Sequence, residues 1–189
     1  MAKIFEPTLL TSSLTEIVEK LISEKNAVLP TQPTESVLKD IMEYEGRMRV
    51  SGMDKFNSPS LIAVTNLYLN EADKQKNKAK GAVVLFMNTE IADKIFKAVG
   101  FTVPYDEDDD SMMKLCGQFA QAVVNAFKDR LSSAGYAALI ASESLVYKNN
   151  VSEGVAFSPD QVEKQEISFY YFKTKTILIE VSLAPIPKK

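Results

Sequence analysis

The residues best placed to do chemistry lie in one amphipathic stretch, about Ser111 to Ser133. Lys114, Gln118, Gln121, Asn125 and Lys128 follow each other at spacings of four, three, four and three. On a helix these positions share one face. Three amides in a row are neutral but rich in donors and acceptors. Such a row can orient a water molecule, meet a partner, or simply be solvated.

Other chemistries are excluded by residue type. The 189-residue chain has no histidine and one cysteine, Cys116. That removes Ser-His-Asp and Cys-His catalysis, histidine-ligated metals and thiolate-rich zinc sites. Any catalysis has to use carboxylates, amides, lysine, tyrosine, or an oxygen-held metal. Tyr105 is followed by five acids, Asp106 to Asp110. The run directly precedes the amphipathic stretch, where acids complement a helix dipole and cap free N–H groups. We therefore read it as structural rather than as a metal site.

Composition limits the class further. The chain is 46% hydrophobic and 25% charged, with a net charge of −3 and mixed signs. No basic excess points to nucleic acid. No apolar run approaches the roughly 20 residues of a membrane span. Met1 to Pro7 lacks the apolar core of a secretory signal. A lone cysteine forms no internal disulfide. A cytoplasmic protein that meets neither membrane nor nucleic acid is expected.

The elements around the amide row follow from periodicity. Leu14, Ile17, Val18, Leu21 and Ile22 predict a first helix, with Ser12 or Ser13 as cap and Glu16 as capping-box partner. Two prolines interrupt the pattern between Asn26 and Pro33. Val37, Leu38, Ile41 and Met42 suggest a second short helix over Glu35 to Glu43. Strands are expected over Arg47 to Met53, Leu61 to Leu69 and Gly81 to Met87, with Asn70 to Lys80 a solvated hairpin loop. A helix opens at Asn88-Thr89-Glu90 and stops at Gly100. The long helix follows, with Met113, Cys116, Phe119, Ala120, Val123, Val124, Phe127 and Leu131 as its packing stripe. Gly135 ends it. Ala137 to Tyr147, Ile167 to Lys173 and Thr176 to Leu183 read as strands, with a tight hairpin at Lys173-Thr174-Lys175. Val151 to Glu166 reads as a loop. Phe169, Tyr170, Tyr171 and Phe172 put aromatics on both faces of one strand, and we read that strand as core. Three or four helices and about six strands make an α/β (α+β) fold. It is expected as one domain over 1–189, with a helical segment over 1–46 and the sheet and motif helix over 47–185.

Gly81 to Phe86, a helix, a second helix containing Leu115-Cys116-Gly117-Gln118-Phe119-Ala120-Gln121, and three closing strands resemble the CheC/CheX family. These are bacterial chemotaxis proteins that dephosphorylate the response regulator CheY. The resemblance implies an antiparallel-rich sheet with two long helices on one face. It covers about Arg47 to Pro185. In the family this helix carries Gly-Glu-x-x-Asn, often with an acid four residues before the Glu. The Glu pairs with a regulator lysine, and the Asn orients the attacking water.

Position by position, Gly117 matches the glycine, while Gln118 replaces the Glu and Gln121 the Asn. Lys114 occupies the optional acidic position. Gln118 has no carboxylate to offer a lysine, and Lys114 would repel one. Gln121 keeps an amide but adds a methylene, and misplacement by about 1 Å costs on the order of a hundredfold in rate.

The resemblance therefore implies a binder of a CheY-like receiver domain, with Gln118 and Gln121 at the former catalytic positions and Lys114 and Asn125 as binding residues. No cofactor is expected, and a metal ion, where needed, would come from the receiver. An active phosphatase in which Gln121 aims the water, and a structural homo-oligomer such as a homodimer, are the alternatives.

Overall fold

The computed structural model describes residues 7–26, 29–106 and 108–189. The signal-peptide reading of the first six residues, and Glu107 of the acidic run, lie outside them. Among the described residues, four helices and ten strands build three layers: helices, a seven-stranded sheet, and a three-stranded sheet. The helices are α1 (Pro7–Asn26), α2 (Glu71–Gln75), α3 (Ala92–Ala98) and α4 (Asp109–Ser133). The large sheet comprises β1 (Glu35–Asp40), β4 (Ser60–Tyr68), β5 (Gly81–Asn88), β6 (Ile140–Ala141), β7 (Leu145–Lys148), β9 (Glu163–Tyr171) and β10 (Thr174–Leu183). Its order is β1-β9-β10-β5-β4, with β6 and β7 sharing the outer edge of β4. The small sheet orders β2 (Glu43–Tyr44), β3 (Arg47–Ser51) and β8 (Asn150–Val155). Every described strand pairing is antiparallel.

Alternation along the central strands divides the core. Ile177, Ile179, Val181 and Leu183 of β10 face the helices, as do Val83, Leu85 and Met87 of β5. Leu178, Ala82, Val84 and Phe86 face the small sheet and meet Met48, Val50, Val151 and Val155. A period of two on a strand places neighbours on opposite faces, and both faces here are covered. Hence β5 reads as a continuous apolar run rather than an alternating one.

Several expectations are corrected. Glu35 to Glu43 is not a helix. It forms β1 and the first residue of β2, so residues 1–46 are not purely helical. Its apolar pairs satisfy a helical spacing, but all six residues of β1 are exposed and its register against β9 decides its conformation. Among the described residues the first helix runs from Pro7, and Ser12 and Ser13 lie inside it rather than at its cap. Residues 70–80 hold the short helix α2, capped by Asn70 Oδ1 accepting from Asp73 N–H at 2.9 Å. Residues 151–166 are not a loop but contain β8 and the start of β9. The expected strand over 137–147 is broken into β6 and β7.

The hairpin between β9 and β10 is as tight as expected but one residue earlier. Phe172 and Lys173 form the two-residue turn, with φ of 52° and 63°. Phe169 and Tyr171 are buried, as the core reading requires, and Phe172 projects from the turn. Gly100 follows α3 at φ 85°, a left-handed position that glycine adopts without steric cost.

Candidate functional site

Helix α4 starts where the acidic run ends, and the run does what was expected of it. Asp108 caps the helix, accepting from Ser111 N–H at 2.9 Å and Ser111 Oγ–H at 2.8 Å. Those bonds hold its carboxyl below the usual range. Lys148 of β7 donates to Asp109 at 2.7 Å. Among the described residues, no group of histidine, cysteine, aspartate or glutamate is arranged to hold a metal.

The apolar stripe is seated as read, shifted at its first position. Met112 is buried and Met113 only partly so. Cys116 is fully buried, and burial pushes its thiol up to about 12, which makes it a packing residue. Arg130 pairs with Glu16 of α1 and ties the two long helices together.

The polar row divides in two. Lys114, Gln118 and Asn125 are exposed, and Ala122 joins them on the same crest. Gln121 and Lys128 are half-buried on the shoulder of the helix. Gln121 therefore does not stand free beside Gln118. Its Oε1 accepts from the backbone N–H of Ser144 at 3.0 Å and from the Ser144 hydroxyl at 3.2 Å. The Ser144 hydroxyl also lies 2.6 Å from Thr65 Oγ1 of β4. With the Ser144 proton given to Gln121, Thr65 is the donor of that last bond.

The local backbone explains the brace. Between β6 and β7 the chain leaves the edge of β4 for three residues, Ser142 to Ser144. Asn66 N–H donates to Ser142 Oγ and Ser142 N–H donates to Asn66 C=O, which closes one side of the gap. The Ser144 N–H has no strand partner there and would be costly to leave unpaired. Gln121 supplies the acceptor. Since a backbone N–H only donates, the oxygen of the Gln121 amide must face it, and Nε2 must face away. Nε2 then donates to Asn125 Oδ1 at 3.5 Å, a long bond that turns the Asn125 NH2 outward.

Gly117 makes this approach possible. A Cβ there would lie 3.1 Å from Val146 Cγ2 of β7 and 3.7 Å from the Ser144 carbonyl oxygen. Absence of a side chain lets the helix settle onto the broken edge strand. Of the predicted site residues, Lys114, Gln118 and Asn125 share an accessible surface. Gln121 is committed to the fold. Ser144 and Thr65 were not anticipated, and only a known break in the edge strand would have pointed to them.

No family model and no curated protein sequence matches the chain. Solved structures do. A CheC-like superfamily protein from Shewanella sp. PV-4 superposes with a TM-score of 0.58 at 12% identity, covering 94% of this chain and 99% of that one. The chemotaxis protein CheX of Desulfovibrio desulfuricans gives 0.57 at 12% identity, with 92% and 98% covered. The CheX protein of Borrelia burgdorferi, solved with CheY, BeF3 and Mg2+, gives 0.50 at 12% identity, with 92% and 96% covered. The fold is that of the CheC-like and CheX chemotaxis proteins, as the order of elements around Gly117 implied. Among the described residues no helix is long and apolar enough to cross a membrane.

Proposed function

We propose that this chain is a CheC/CheX-like signalling protein that docks a CheY-like receiver domain through the α4 crest and does not dephosphorylate it. One observation carries the reading: the only oxygen of the Gln121 side chain is occupied by Ser144. An amide that positions an attacking water needs its polar groups free at the partner's active site, with little reorganisation at the moment of reaction. Gln121 would have to abandon two hydrogen bonds and expose the Ser144 N–H. The neighbouring position adds to this, since Gln118 is neutral where a carboxylate would pair with a receiver lysine.

The docking surface is what remains once Gln121 is removed: Lys114, Gln118, Ala122 and Asn125 on one exposed line. A receiver partner is supported by the Borrelia CheX, which is solved with CheY. Any metal ion belongs to the receiver, and the cytoplasm is where receiver domains would be met. Self-association has its own support in β1, the terminal strand of the large sheet, whose six residues are all exposed. A strand edge of that kind pairs readily with a second copy.

The test mixes the protein with phosphorylated receiver domains and follows both complex formation and phosphate release. Binding without faster release is expected. Accelerated release that is lost in Gln121→Ala would replace this reading with the phosphatase one. Absence of binding to any receiver would leave self-association alone.

A further inference from the structure

On the sheet face away from α4, β9 and β10 carry charge into the interior. Lys39 Nζ lies 2.9 Å from Glu166 Oε1, and Lys55 Nζ lies 3.0 Å from Glu166 Oε2. Lys55 Nζ also lies 2.9 Å from Glu180 Oε1, and Lys164 Nζ lies 2.7 Å from Glu180 Oε2. The groups alternate Lys39–Glu166–Lys55–Glu180–Lys164, so the chain of charges begins and ends on a cation. Three ammoniums face two carboxylates. All four carboxylate oxygens are taken, whereas an ammonium has three donors and Lys164 uses one, on Glu180. Four of the five side chains are buried, 8% exposed for Lys164, 11% for Lys55, 7% for Glu166 and 2% for Glu180, whereas Lys39 is 47% exposed.

The four buried groups therefore balance, and the unmatched charge is that of Lys39. Burial pushes the ammonium pKa of the neighbouring Lys175 down; Glu166 opposes the shift, and Lys55 and Lys39 add to it.

A cavity of about 900 Å³ opens onto this cluster, walled by β3, β8 and the end of β1. Lys39, Lys55, Lys164 and Glu180 line it. Its more exposed lining holds Arg47 and Arg49 against Asp40, Glu45, Asp54 and Glu153. Arg47 is engaged with the carbonyl oxygens of Glu153 and Gly154, and Arg49 lies over the Tyr44 ring. Acids outnumber bases at this level, which disfavours entry of a polyanion. At the cluster itself the three ammoniums keep spare donors, and Lys39 supplies the one unmatched charge.

We propose that this cavity binds a small oxyanion, a carboxylate or a phosphate, against the spare donors of Lys39, Lys55 and Lys164. The site lies on the opposite face of the large sheet from α4.

Thermal unfolding of the full chain tests it. Phosphate, acetate and succinate are titrated separately, each against chloride at equal ionic strength. A saturable rise in Tm of about 2 °C or more is expected for at least one oxyanion, and the arms distinguish phosphate from carboxylate. No rise above the chloride control for any of them overturns the proposal. Lys39→Met removes the most exposed of the three cations, while Glu166 keeps Lys55. It should raise the half-saturating concentration about tenfold or more, and Lys39→Arg should restore it. Unchanged saturation in Lys39→Met overturns the placement. Should that variant not fold, the chloride-matched titration of the unmodified chain decides alone.

Discussion

Gln121 Oε1 accepts two hydrogen bonds from Ser144, one from the backbone N–H and one from the hydroxyl, and so closes the gap between β6 and β7. The position that would aim a water in a phosphatase is here a brace between helix and sheet. Gln121→Ala should therefore behave as a stability variant. Loss of the acceptor leaves a part-buried N–H without a partner, worth about 1–3 kcal/mol. Urea unfolding is expected to show that loss, and Gln121→Asn, one methylene short, should share most of it. A Gln121→Ala protein as stable as the parent would mean that the brace carries no weight.

The exposed crest should respond in the opposite way. Ala122 lies between Gln118 and Asn125 and packs against no core residue. Ala122→Trp places bulk at the centre of the proposed docking line. Receiver affinity should fall by at least about tenfold, because steric exclusion at an interface centre removes several contacts at once. The urea midpoint should stay within experimental error, since surface changes away from packing are usually within about 0.5 kcal/mol. A receiver that binds Ala122→Trp normally docks elsewhere.

The Phe172-Lys173 turn is strained in a measurable way. Both residues have positive φ, which a two-residue hairpin of this hand requires and which neither side chain favours. Asn-Gly is the pair that suits the geometry. Replacing Phe172 by Asn and Lys173 by Gly should raise stability by about 1–2 kcal/mol, less the weak contact of Lys94 with the Phe172 ring at 5.9 Å. Thermal or urea unfolding of the double variant reads this directly, and a lower midpoint would show that Phe172 contributes more packing than its exposure suggests.

How much of this was legible in the sequence depended on whether one face of an element is buried. The stripe from Cys116 to Leu131 was readable because a helix with one covered face must repeat its apolar residues. β5 was readable as a doubly covered strand from Ala82-Val83-Val84-Leu85-Phe86. Where neither face is covered, periodicity carries no information. β1 has Val37 and Leu38 exposed, and its spacing passed for a helix. β8 has one covered face, with Val151 and Val155 buried, but Ser152-Glu153-Gly154 between them breaks the alternation and reads as loop. The amide row was found by spacing alone. That Gln121 belongs to the shoulder rather than the crest depends on β7, distant in sequence, and on the missing ladder partner of Ser144. No local pattern contains that.

The buried charge cluster makes the last prediction. Burial raises the Glu166 pKa, but hydrogen bonds and charge from Lys39 and Lys55 outweigh it and hold the carboxyl below its ordinary 4.5. A carboxyl depressed on folding binds its proton more tightly in the unfolded chain. Its stabilisation is complete above that ordinary value and is lost as pH falls through the folded value. For Lys55, burial lowers the pKa, yet Glu180 and Glu166 together raise it above its ordinary 10.5. That contribution is present at neutral pH and is lost only as pH rises through the raised value. Lys55→Met removes the central link of the cluster and leaves both glutamates with one lysine each. At neutral pH it should cost about 3 kcal/mol or more, the usual consequence of breaking a buried pair from one side. With Lys55 gone, desolvation weighs more at Glu166, its pKa moves up, and acid unfolding should begin at higher pH than in the parent. Below the lowered folded pKa of Glu166, where the carboxyl is protonated in both proteins, the difference between them should shrink. Urea unfolding across that range gives both quantities, and a stability difference that stays constant from neutral to acid pH would show that the cluster acts through packing rather than charge.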